Sequence, residues 1–304
     1  MEQLILSVDT GIDDFITITI AGMRKDKFKI EGICTTYGNC DLENATNNTL
    51  QALDIANCNN ISVFKGSERP LSGKKMRDAT DVHGNNGLGN LQYTEIHRNP
   101  ELILAEDFLI NKVREEKDKI VIIATGPLTD IAKAIKKDKD FSKNLKGLII
   151  MGGGIEGGNI TEYAEFNFYQ DPEAAQIVFE SGIKDITMIG LDVANKNTID
   201  EKIKNFVEKI ETNEAKFISK LLSKLEESIL YDPLTICYLI DKNILKIKPL
   251  NIRIETKGIE RGRTTINKIK TMHNCNVAYD IDIKRARKVL LENIFNVEVK
   301  NDEI

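Results

Sequence analysis

The run Asp9-Thr10-Gly11-Ile12-Asp13-Asp14 places three carboxylates within six residues. Charges that close repel one another unless protons or a cation intervene. Asp13 and Asp14 have an ordinary explanation as first-turn acids favoured by a helix dipole. Asp9, at the carboxyl end of an apolar run, has none. Downstream, Ala124-Thr125-Gly126-Pro127 closes another apolar run. A sharp bend there either frees the Thr125 carbonyl as a hard oxygen donor or makes a routine turn into a helix. Tyr231-Asp232-Pro233-Leu234 opens an apolar helix, with Asp232 either a further site acid or an N-cap ahead of Pro233. Asp9, Asp14, Asp232 and the Thr125 carbonyl together would form an all-oxygen shell, which suits calcium better than zinc or copper.

The stretch Met151-Gly152-Gly153-Gly154-Ile155-Glu156-Gly157-Gly158-Asn159 carries a GxGxxG spacing at Gly152, Gly154 and Gly157. A dinucleotide site needs a helix opening inside that loop, so that its amides hold a pyrophosphate. Here a helix is expected only from Pro172. The loop instead gathers Asn159, Glu165 and Asn167, a set suited to several hydroxyls; the plainer alternative is a long ordered loop with surface polars. An aspartate-nucleophile phosphatase would need a second Asp two residues after Asp9, where Gly11 stands.

These residues lie just beyond apolar, β-branched runs: Leu4–Val8, Phe28–Thr35, Ile120–Ala124, Leu148–Met151 and Ile186–Ile189. Helical periodicity fills the intervals at Phe15–Arg24, Leu42–Ala56, Leu128–Lys136, Pro172–Glu180 and Glu201–Leu230. Buried runs alternating with helices predict an α/β fold, a mostly parallel sheet with helices on both faces, whose ligands sit beyond the carboxyl ends of its strands. After Ile240 the pattern changes. Leu250–Glu255, Gly262–Ile269 and Asn276–Ile281 alternate like edge or antiparallel strands, and Lys284–Asn293 reads as a closing helix. No linker rich in Pro, Gly or Ser interrupts the chain, so residues 1–304 are expected to form one domain.

Composition narrows the function classes. The net charge is −5, from intermixed acids and bases, which argues against a nucleic-acid partner. Apolar stretches reach about nine residues, too short to span a bilayer. The Met-Glu-Gln start lacks a basic region, so no signal peptide is expected and a cytoplasmic location follows. Cys34, Cys40, Cys58, Cys237 and Cys275 form no CxxC pair and are expected as free thiols. His83, His97 and His273 are too scattered for a His-rich metal motif.

The motifs, taken in order, resemble the inosine-uridine-type nucleoside hydrolases. They run through Val8–Asp14, Tyr37-Gly38-Asn39, Ser67–Leu71, His83–Gly89, Ala124–Thr129, Met151-Gly152-Gly153, Gly158-Asn159, Ala164–Asn167, Asp171–Ala175, Asp232-Pro233-Leu234 and Asn276–Asp282. The resemblance implies calcium held by Asp9, Asp14, Asp232 and the Thr125 carbonyl, binding the ribose 2′- and 3′-hydroxyls and the attacking water. It makes Asp9 the base that deprotonates that water. Asp13, Asn39, Asn159, Glu165 and Asn167 would grip the sugar hydroxyls, with Met151 beneath the ribose. It also implies a ribonucleoside substrate, purine or pyrimidine salvage, and a homodimer or homotetramer.

The chain departs from this family at three places. Ser7 stands where members carry an acid, two residues before Asp9. Tyr231 stands where a histidine often protonates the departing base, and lines the substrate side; a phenol with a pKa near 10 is a poor acid. His83 is then the best remaining donor, expected on a mobile glycine-rich loop that it otherwise serves only to order. The connection before Tyr231 is also short, which leaves base preference open. The alternative to an enzyme is a calcium- and ribose-binding member without turnover, raised by Ser7 and Tyr231.

Overall fold

The computed structural model describes residues 1–74, 77–225, 229–269 and 271–300. In chain order, β1 (Glu2–Val8) leads into α1 (Ile12–Met23), β2 (Phe28–Thr35) into α2 (Leu42–Ile55), and β3 (Val63–Lys65) into α3 (Thr80–His83) and α4 (Ala105–Glu115). Next, β4 (Ile120–Ala124) precedes α5 (Thr129–Lys137) and α6 (Phe141–Asn144), and β5 (Gly147–Met151) precedes α7 (Phe166–Gln170) and α8 (Pro172–Glu180). After β6 (Ile186–Ile189) come α9 (Leu191–Ala194), α10 (Glu201–Glu208), α11 (Asn213–Leu222) and α12 (Pro233–Ile240). The chain continues through β7 (Leu245–Leu250), β8 (Ile252–Ile254), β9 (Thr264–Ile266) and β10 (Cys275–Ile281) to α13 (Ile283–Phe295).

Eight strands form one sheet in the order β3-β2-β1-β4-β5-β6-β10-β7, parallel throughout except for the last pair. The strands read as unbroken apolar runs because both faces are covered. Leu4, Leu6 and Val8 of β1 join Val121, Ile123, Ile149 and Met151 in a core with α1, α2, α12 and α13. The residues between them, Ile5, Ile120, Ile122, Leu148 and Ile150, face a second core with α4, α5 and α8. Strand periodicity thus sends alternate residues of one segment into two cores.

Two expectations need correction. The segment Glu201–Leu230 is not one helix: α10 and α11 are separate, because the Thr212 hydroxyl takes the Ala215 amide and starts a new N-terminus. Part of the predicted span, residues 226–228, lies outside the described residues. Asn276–Ile281 is antiparallel to its neighbour β7, one of the two expectations for it, but is no edge, since β10 also pairs parallel with β6. The edge is β7, whose exposed Lys246, Lys248 and Pro249 hid its strand character and are the residues that protect an edge from further pairing. The other two runs, Leu250–Glu255 and Gly262–Ile269, contain β8 and β9, which pair antiparallel as expected, in a ribbon outside the main sheet.

Candidate active site

Several site residues lie at or just beyond the carboxyl ends of the parallel strands. Asp9 follows β1, Asn39 follows β2, Thr125 follows β4, and Met151 ends β5. Asp13 and Asp14 occupy the first turn of α1, and Asp232 stands at the start of α12. All four aspartates are buried, Asp9 and Asp14 with 0% exposure. Oxygens of Asp13, Asp14 and Asp232 lie within 4.8 Å of one another.

The ordinary explanations of these acids hold only in part. Asp14 does accept the Gly11 amide at 3.0 Å, as a first-turn acid would. The same oxygen also accepts Asn39 Nδ2 at 3.0 Å, and its partner oxygen takes the Thr125 hydroxyl at 2.5 Å. Asp232 makes no side-chain cap on α12; it faces Asp13 as a hydrogen-bond partner instead. Asp9 accepts the Asn39 backbone amide at 2.9 Å and its side-chain amide at 3.3 Å. One Asn39 side chain therefore bridges Asp9 and Asp14. The backbone approach is possible because position 38 is glycine: at φ +156° a Cβ there would stand 1.9 Å from Asp9 Oδ2.

Burial and mutual repulsion shape the electrostatics. Burial raises the Asp9 carboxyl well above its ordinary range, and Asp14 beside it adds to the rise. Asp14 is pushed up to about 6 by burial and then by Asp13. Asp232 is likewise driven up by burial and by Asp13, Asp14 and Asp9. Asp13 is raised by burial and held back by hydrogen bonds, the first from Asp232. Its Oδ1 is buried without a hydrogen-bond partner. A cation would relieve all of these costs at once. The donors are hard oxygens, as calcium requires.

A cavity of about 420 Å³ opens over this floor. Asp13, Asn39, His83, Thr125, Met151, Asn159, Glu165, Asn167, Tyr231 and Asp232 all line it. Glu165 caps α7, accepting the amides of Gly153, Asn167 and Phe168 at 2.9, 2.8 and 3.1 Å. Asn167 donates to the Thr125 carbonyl at 2.7 Å and to the Met151 carbonyl at 3.2 Å. Asn159 accepts the Phe166 amide at 2.9 Å. The glycine loop of the GxGxxG spacing opens no helix; the first helix after it is α7, earlier than the expected Pro172.

His83 departs from its expected setting. It belongs to the short helix α3 and is 7% exposed, and its Nδ1 accepts the Ile12 amide at 3.2 Å. Nε2 is thereby left to carry the ring proton. Burial lowers its pKa to about 4, so the ring is neutral at pH 7. Cys40 is a buried free thiol like the other four cysteines. Burial and Asp9 push it up, away from nucleophilic character.

Other lining residues escaped the sequence reading: Arg77, Asp78, Asp81, Val82, Ile160, Leu225 and Ile229. None follows an apolar strand run, so nothing in the sequence marks them. The Thr125 hydroxyl was also missed, since only its carbonyl drew attention.

A buried acid cluster at the carboxyl edge of a parallel sheet, beneath a polar cavity, defines an α/β enzyme site for a small polar substrate. The chain belongs to the inosine-uridine preferring nucleoside hydrolase family, whose sequence profile matches residues 4–288. It is 32% identical over 319 residues to a probable uridine nucleosidase 2 of Oryza sativa subsp. japonica, covering 98% of this chain and 94% of that protein. A pyrimidine-specific ribonucleoside hydrolase of Photobacterium profundum is 31% identical, over 96% of this chain and 98% of its own. The solved purine-preferring ribonucleoside hydrolase from Gardnerella vaginalis superposes with a TM-score of 0.92 at 29% identity, covering 97% and 98% of the two chains. The chain is accordingly a hydrolase of N-glycosyl bonds in ribonucleosides. Among the described residues, no helix is long and apolar enough to cross a membrane.

Proposed function

We propose that this hydrolase is calcium-dependent and that Asp9 is the base that activates the attacking water. One observation carries the reading: Asp13, Asp14 and Asp232 converge within 4.8 Å, with an unpartnered Asp13 oxygen, and the Asn39 side chain ties Asp9 to Asp14. Asp9, Asp14, Asp232 and the Thr125 carbonyl would hold the ion. Bound there, calcium would lower the pKa of water and neutralise the repulsion among the carboxylates.

The chain's own groups do the rest. Asp9 takes a proton from water, for which Asn39 keeps its carboxylate oriented. Asp13, Asn39, Asn159, Glu165 and Asn167 hold the ribose hydroxyls over Met151. Breaking the glycosidic bond builds positive charge on the sugar, which the surrounding carboxylates stabilise. His83, proton on Nε2, donates a hydrogen bond to the departing base; Tyr231 lines the same cavity. Five free cysteines fit a reducing, cytoplasmic compartment. The same reading makes the enzyme a homodimer or homotetramer in nucleoside salvage.

A panel of ribonucleosides and 2′-deoxyribonucleosides, assayed for reducing sugar with and without chelator, tests the proposal. Ribose should be released only with calcium present. A deoxy substrate leaves buried polar groups unpaired and should lose roughly 10³-fold in kcat/KM. Substrate binding without ribose release would instead favour a family member that has lost turnover.

A further inference from the structure

The loop that carries Asn39 is anchored from behind by a chain of buried hydroxyls. Thr129, the first residue of α5, donates to Asp171 Oδ2 at 2.7 Å. With the only Thr129 hydroxyl proton committed there, the 3.1 Å contact between Tyr37 Oη and Thr129 Oγ1 must have Tyr37 as donor. Burial and the Asp171 carboxylate push the Tyr37 phenol up, so it keeps that proton. Tyr37 is also held through its backbone, its amide donating to the Ser67 carbonyl at 3.1 Å. Two residues on, the Asn39 amide reaches Asp9.

We propose that the Tyr37–Thr129–Asp171 hydroxyl chain is a positioning device for the water-activating carboxylate. It fixes the loop Thr36–Cys40 so that the Asn39 amides meet Asp9. Tyr37 and Thr129 are positioning residues and touch neither substrate nor water; Thr129 and Asp171 are wholly buried and Tyr37 nearly so. The inference rests on Asp9 acting as the base. A misplaced catalytic group costs turnover more than substrate affinity, by up to about 10²-fold per ångström.

The test compares Tyr37→Phe, Thr129→Val and Thr129→Ser, with Asp9→Asn as reference, by steady-state kinetics on a ribonucleoside and by thermal melting. The first two variants should lower kcat about tenfold with KM within about twofold. Thr129→Ser keeps the hydroxyl and should restore most of kcat. If Tyr37→Phe fails to fold, the Thr129 pair carries the test alone, since valine matches threonine in shape. Thr129→Ser as slow as Thr129→Val, or unchanged kcat in both Tyr37→Phe and Thr129→Val, overturns the hydroxyl chain. An Asp9→Asn enzyme of undiminished kcat overturns the assignment of the base instead, and so separates the two failures.

Discussion

The floor of the site and its mouth are built on opposite terms. The floor consists of residues set by strand ends and a helix start; Asp9 and Asp14 are fully buried and each is held by two or more hydrogen bonds. The mouth is made of α3 and the segments around it, where Val82 is 54% exposed and the Arg77–Asp81 ion pair stands with side chains 67% and 58% exposed. An exposed pair of that kind contributes ~0–1 kcal/mol. A desolvated floor is where charge stabilisation is strong, and a solvated mouth is where it is weak.

Mutation can break this contrast or sharpen it. Asp9→Ala should have the largest effect, lowering kcat by about 10³-fold while KM moves little, since a positioned base contributes 10²–10⁴-fold. A proportionate rise in KM would move the base elsewhere. His83 sits between floor and mouth. His83→Ala should reduce kcat by about 10²-fold and His83→Gln, which keeps an N–H donor, by less. Because its pKa lies near 4, the His83 ring stays neutral from pH 6 to 8, and no change of activity in that range should trace to its protonation. Val82→Ala should act only on choice: the ratio of kcat/KM for inosine and uridine should shift by less than about tenfold, within the 1–3 kcal/mol that a few methylenes supply. An equal loss on both bases would show that Val82 supports the floor.

Legibility in the sequence follows the same division. Asp9 was visible because it ends an apolar strand run, where an acid has no packing role; Asp13, Asp14 and Asp232 stand at helix starts, where the sequence left a capping or dipole role equally open. The parallel sheet was legible for the matching reason that β1, β4, β5 and β6 are buried on both faces. The mouth was not. Arg77, Asp78 and Val82 lie in a polar stretch with no periodicity, and only tertiary structure brings them over the cavity. Sequence also could not show that the Thr125 hydroxyl, besides its carbonyl, faces the acids, or that His83 is buried against α1. The short β3 and the lysine-rich β7 were missed because edge strands carry little apolar signal.

If the carboxylates of the floor gather around one hard cation, calcium titration of the metal-free protein will reveal it. Asp14 is raised from 3.8 to about 6, so the folded state holds its proton more tightly than the unfolded chain. That contribution to stability is present below the unfolded value and is lost as pH rises through about 6, where the ionised carboxylate becomes free to bind the ion. One calcium per chain is expected by calorimetry at pH 7.5, with markedly weaker binding at pH 5 and a larger calcium-induced rise in Tm at the higher pH. Full turnover in rigorously metal-free protein, or calcium binding unchanged by Asp14→Asn and Asp232→Asn, would contradict it.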